Sequence, residues 1–136
     1  MNTQIFVNLP VKDLEKSKTF YEQLGYKINE QFTDETAASI VISDTIYVML
    51  LTYKKIKEFT SKAIADAKKT TEVLNALSVG SKKEVDEIMD KALNNGGSKA
   101  YDTQELGFMY SRSFNDPDGH IWEVFWMDME AVNTPQ

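Results

Sequence analysis

Apolar and polar positions along the chain fall into two successive copies of one pattern. The β-rich run QIFVNLPV at 4–11 ends at the turn-prone pair Lys12-Asp13. Asp13 stands where a carboxylate caps a helix start. Leu14, Phe20, Tyr21 and Leu24 line one side of the helical segment that follows, and Gly25 stops it. Three extended runs come next, at 26–32, 37–43 and 46–52, with a tight turn at Asp44 and Thr45 between the last two.

After a lysine-rich stretch the order repeats. EVLNALSV at 72–79 reads as a strand, and Ser81 and Glu84 form a capping box in which each side chain satisfies an amide donor at a helix start. Val85, Ile88, Met89, Ala92 and Leu93 form an i, i+3, i+4, i+7, i+8 stripe closed by Gly96 and Gly97. Extended runs at 98–103, 107–114 and 120–127 complete the copy, and LPV at 9–11 matches LSV at 77–79 in position. Both halves are therefore βαβββ, and the fold class is α+β with two tandem modules. The expected organisation is a single domain over 1–136: module one at about 4–53, a basic connector at 54–71, module two at about 72–127, and a frayed tail at 128–136.

Composition narrows the function classes. With 42% apolar residues the chain can bury a core, and without cysteine it has no disulfide, thiolate metal site or cysteine nucleophile. No apolar run is long enough to span a bilayer, and MNTQIFVNLP lacks the basic region and long apolar stretch of a secretory signal, so a cytoplasmic protein is expected. A net charge of −6 argues against nucleic-acid and anionic-membrane partners. Six lysines between Lys54 and Lys69 face only Glu58 and Asp66, a local charge of +4 that leaves −10 for the rest. Within this stretch Ile56, Phe59, Ala63 and Ile64 recur at helical spacing, which predicts a short amphipathic helix. Its plain reading is a solvated connector with an apolar stripe packed on the body, and the alternative is a device that attracts an anionic ligand or partner.

FYEQLGY at 20–26, DPDGHIWEVFW at 116–126 and the doubled βαβββ order together resemble the vicinal-oxygen-chelate superfamily over residues 4–127. That superfamily holds glyoxalase I, bleomycin-resistance, fosfomycin-resistance and extradiol-dioxygenase proteins. The resemblance implies mixed sheets curled into a cleft with helices on the outer face, commonly completed in a homodimer. It also implies, for the enzymes, a divalent metal held by one residue on each of four strands. Carried over by position, those residues are Phe6, Leu74, Leu50 (or Met49 in a register shifted by one) and Glu123. Only Glu123 offers a suitable donor, since divalent ions need several nitrogen or oxygen ligands. No metal or other cofactor is therefore expected, with Glu123 the sole surviving candidate ligand.

The last hairpin decides which way Glu123 points. In Asp116-Pro117-Asp118-Gly119, proline suits the second turn position and glycine a left-handed one, which favours a type I turn with a one-residue bulge. Asp116 then pairs with His120 and Ser113 lies opposite Glu123. Without the bulge, Arg112 would face Glu123 instead. The bulged register puts Ile121, Glu123, Phe125, Ser111 and Ser113 on the cleft face and Trp122, Val124 and Trp126 on the helix-covered face. His120, the single histidine, then marks where the strand restarts, and Arg112, the single arginine, reads as a structural ion-pair or stacking residue. Glu123 is a candidate general base or acid, or a carboxylate held by Ser113, Asn8 or the Tyr110 hydroxyl.

The leading functional expectation is a small-molecule binder with a degenerate metal site. Its apolar cleft is lined by Phe6, Asn8, Leu50, Leu74, Ala76, Ser111, Ser113, Ile121, Glu123 and Phe125, with Phe59 of the connector as a lid. One alternative is a metal-dependent lyase, isomerase or dioxygenase of the glyoxalase type with an atypical site. Another is a non-catalytic interaction module that holds an acidic partner through 54–69. Whether the protein is an enzyme stays open at this point.

Overall fold

A computed structural model describes residues 2–133, and the chain divides into two compact units between Thr70 and Thr71. In the first, β1 (Ile5–Val11), α1 (Leu14–Gln23), β2 (Lys27–Asn29), β3 (Ala37–Val41) and β4 (Ile46–Thr52) form a sheet of order β1-β4-β3-β2 under one helix. The β1–β4 pair is parallel and the others are antiparallel. Asp13 caps α1 by accepting from the Lys16 amide at 3.1 Å, and Gly25 stops it with φ +105°. Leu14, Phe20 and Tyr21 are buried where α1 packs on β3 and β4. Each such side chain contributes about 1.5–3 kcal/mol relative to exposure.

The second unit repeats the plan with β5 (Leu74–Ser78), α3 (Lys82–Asn94), β6 (Ser98–Lys99), β7 (Gln104–Glu105), β8 (Met109–Asn115) and β9 (Ile121–Met127). Its sheet order is β5-β9-β8-β6, with β7 also paired to β8 and β5 parallel to β9. Ser81 caps α3 through the Glu84 amide at 3.1 Å, and Glu84 reaches back to the Gly80 amide at 3.2 Å, one residue before the cap. Val85, Met89 and Ala92 are buried beneath α3, whereas Leu93 is exposed.

Four expected segments fold differently. The run at 26–32 is a strand only to Asn29. The Asn29 side chain then accepts from the Gln31 amide and opens a 3-10 turn at Glu30–Phe32. The run at 98–103 breaks after Lys99, and a short strand appears at Gln104–Glu105 instead. The connector helix is only α2 (Tyr53–Ile56). Thr60 and Asp66 take the local amides of Lys62 and Lys68 into turns, so the Ile56-to-Ile64 stripe never forms one helical face. Finally, part of the tail is ordered: Asp128 accepts from the amides of Glu130 and Ala131 and starts α4 (Met129–Asn133), while residues 134–136 of the expected frayed tail lie outside the described residues. No helix among the described residues is long and apolar enough to cross a membrane.

Candidate functional site

The hairpin between β8 and β9 forms in the bulged register. The Asp116 amide donates to the His120 carbonyl at 2.9 Å and the Gly119 amide to the Asp116 carbonyl at 3.0 Å, with Gly119 at φ +93°. The Asp116 carboxylate fills the turn, accepting from the amides of Asp118 and His120. His120 thus marks the restart of the strand. Ser113 pairs with Glu123 and Arg112 with Val124. Strand alternation then puts Leu74, Ala76, Ser111, Ser113, Ile121, Glu123 and Phe125 on one face of the second sheet. Trp122, Val124 and Phe114 are buried on the other, beneath α3.

Glu123 is half-buried and both of its oxygens are engaged. Ser111 Oγ donates to Oε1 at 2.6 Å, and Tyr101 Oη donates to Oε2 at 2.9 Å. Charge-assisted bonds of this kind are about twice as strong as neutral ones. Burial, then the hydrogen bond and charge of Glu123, push the Tyr101 phenol up to about 12, so it remains a proton donor. Ser113 acts one step back. Its Oγ accepts from the Tyr101 amide at 3.0 Å and donates to the Tyr101 carbonyl at 3.2 Å, pinning the segment that carries the phenol.

These partners differ from the expected ones. Neither Ser113 nor Tyr110 holds Glu123: Tyr110 lies on the helix side and donates to Asp86 Oδ1 at 2.6 Å. Asn8 donates to the Phe6 carbonyl on its own strand. Nothing local in the sequence marks Tyr101: it sits in an irregular segment and meets Glu123 across 22 positions. Arg112 fills its expected structural role, paired with Asp86 at 2.9 Å and with Asp90 at 3.8 Å on α3. The Tyr110 hydrogen bond, and then Arg112, hold the Asp86 carboxyl below the usual carboxylate range.

In the first unit the register left open by the sequence resolves to Met49. Asn8 pairs with Met49 and Leu9 with Leu50, so Met49 shares a face with Phe6 and Asn8. Leu50 has 0% exposure and stands on the opposite face with buried Leu9 and Val11. It therefore does not join Phe6 and Asn8. Phe6, 50% exposed, stacks on Tyr47 with ring centroids 4.8 Å apart. Phe59 follows α2 and is 72% exposed.

A family model for the bleomycin resistance protein-like N-terminal domain matches residues 3–43. No curated protein sequence matches. Among solved structures, a hypothetical protein from S. aureus is 29% identical, with a TM-score of 0.78 over 93% of this chain and 94% of that one. A glyoxalase/bleomycin resistance protein/dioxygenase family enzyme from Burkholderia phytofirmans is 15% identical, with a TM-score of 0.75 over 93% and 99% of the two chains. The chain therefore has the fold of the glyoxalase/bleomycin-resistance/dioxygenase proteins. A fosfomycin resistance protein from Mesorhizobium loti shares that fold at 14% identity, with a TM-score of 0.69 over 98% and 99% of the two chains.

Superfamily enzymes imply a divalent metal, and the donor chemistry here does not fit one. In the first unit the implied positions are Phe6 and Met49, a phenyl ring and a soft thioether. In the second they are Leu74 and Glu123, so a single carboxylate is the one hard donor among the four positions. Among the described residues, no three histidine, aspartate or glutamate side chains are grouped to hold a metal ion.

Proposed function

We propose that this protein is a small-molecule binder of the glyoxalase/bleomycin-resistance type that works without a metal. The ligand is taken against the face of the second sheet that carries Glu123. The observation that carries this reading is the Ser111–Glu123–Tyr101 arrangement among apolar neighbours: one fixed polar group beside Leu74, Ala76, Ile121 and Phe125. Small-molecule sites commonly combine apolar surface with a few oriented polar groups. Leu74 is 52% exposed, so apolar area there remains to be covered by a ligand. The match to a bleomycin-resistance domain supports sequestration as the mode of action.

Thermal-shift and ligand-observed NMR screens of apolar metabolites and drugs test the proposal. Binding should perturb resonances of Leu74, Tyr101, Ser111 and Glu123 and should be unchanged by a chelator. A requirement for nickel, zinc or iron, or the absence of any effect at these residues, would overturn it.

A further inference from the structure

We infer that the ligand of the Glu123 face carries a cationic nitrogen, an ammonium or amidinium group, attached to an apolar body. The inference rests on reading that face as a small-molecule site and adds the charge of what occupies it. Its basis is how Glu123 is satisfied. Both partners are neutral hydroxyls, which orient the carboxylate but leave its charge uncompensated.

Among the described residues, no lysine, arginine or histidine forms an ion pair with Glu123, and in the second unit Arg112, Lys82, Lys83 and Lys99 pair with other carboxylates. Arg112 faces the helix and pairs with Asp86 and Asp90. Lys82 pairs with Glu105, Lys83 with Glu87 and Lys99 with Asp102. A half-buried anion on an apolar face carries a desolvation cost that a nearby positive charge offsets.

The geometry also selects against other ligands. Each carboxylate oxygen accepts one hydrogen bond and keeps a further lone-pair direction free for a donor. A neutral hydroxyl or amide would gain only a hydrogen bond there, whereas an ammonium gains the bond and neutralises the charge. An anionic ligand would be repelled. Phe125 lies two residues along the same face, opposite Ser111, where a ring suits a cation and leucine or isoleucine would not. Leu74 and Ile121, paired on the neighbouring strands, offer the apolar surface for the body of such a molecule.

Three matched probes separate charge from shape: benzylammonium, benzyl alcohol and benzoate, titrated into isotopically labelled protein and followed by amide shifts. Benzylammonium should bind at the Glu123 face about ten-fold more tightly than the alcohol, and benzoate more weakly than either. The preference should shrink as salt is raised and vanish in Glu123→Gln. Tyr101→Phe keeps the charge but loses one orienting bond, so it should weaken benzylammonium by only about three-fold and keep the preference. Equal binding of alcohol and ammonium, or a preference that survives in Glu123→Gln, would overturn the inference and leave the small-molecule reading intact. If none of the three probes perturbs that face, both fall.

Discussion

In the first unit the residue paired with Asn8 is Met49, and in the second the residue paired with Ala76 is Glu123. The two sheets are built alike, and their antiparallel pairings extend the correspondence. Ser39 lies opposite Met49 as Ser113 lies opposite Glu123, and Ala37 lies opposite Leu51 as Ser111 lies opposite Phe125. The modules thus differ at two coupled positions: a carboxylate with a hydroxyl donor in one, a thioether with a methyl group in the other. Glu123 is tolerable in a half-buried setting because Ser111 and Tyr101 are in place, and the first module has apolar groups at both corresponding positions.

Exchanging one member of the pair should break this comparison most strongly. Met49→Glu puts a half-buried carboxylate beside Ala37, with no hydroxyl at the Ser111 position, and should cost about 3 kcal/mol in urea denaturation. Ser39 should not rescue it, because its counterpart Ser113 bonds the Tyr101 backbone rather than Glu123. Adding Ala37→Ser should recover about 1 kcal/mol. A Met49→Glu protein as stable as the wild type would show that the hydroxyl is not what makes the carboxylate acceptable.

The converse change is gentler. Ser111→Ala leaves Glu123 with one donor fewer and should cost about 1–2 kcal/mol. Combining it with Glu123→Met should restore part of that loss, since the under-satisfied carboxylate is then gone while the Tyr101 hydroxyl loses its acceptor. A double-mutant cycle read by thermal or urea unfolding gives the coupling directly. Additive effects would mean that Ser111 and Glu123 are independent neighbours.

Sequence patterns revealed much of this framework and missed its decisive contacts for a physical reason. Caps, stripes and turns are local, so the doubled βαβββ order, the Asp13 and Ser81 caps and the bulged hairpin could all be read along the chain. The hairpin register could be read because turn chemistry fixes it. The β1–β4 register could not: those strands are parallel, no turn joins them, and a shift of one residue exchanges Leu50 for Met49. Tyr101 was hidden for the same reason, its partner being fixed by where an irregular segment crosses the sheet. The connector failed differently. Its apolar spacing suited a helix, but Thr60 and Asp66 compete for the backbone amides that a helix needs.

Tyr101 gives the comparison a pH signature. Its folded value of about 12 lies above the ordinary 10.0, so its contribution to stability is complete below pH 10.0 and is lost as pH rises toward about 12. Tyr101→Phe should cost about 1 kcal/mol at neutral pH and remove that part of the alkaline loss. Phenolate absorbance should show one fewer late-titrating tyrosine. Tyr26, raised by burial in the first unit, should titrate unchanged. An alkaline profile identical in wild type and Tyr101→Phe would place the late phenol elsewhere.

The smallest effect concerns how each helix sits on its own sheet. α1 meets its sheet through Leu14, Phe20 and Tyr21, whereas α3 adds Asp86, which accepts from Tyr110 and Arg112 of β8. The Asp86 side chain is about half exposed, so this polar contact is screened by solvent, and Asp86→Asn should cost only about 0.5 kcal/mol, less at high salt. Its pH dependence is more telling than its size. The folded Asp86 value lies below the ordinary 3.8, so its contribution is present above that pH and lost as pH falls through the folded value. The Asn variant should lack this acid-side loss. It should also let Tyr110 titrate earlier, because the hydrogen bond to Asp86 is the main cause holding that phenol up. Movement of the Tyr110 titration without a matching change in acid stability would mean that Asp86 orients the phenol and does little to fasten the helix.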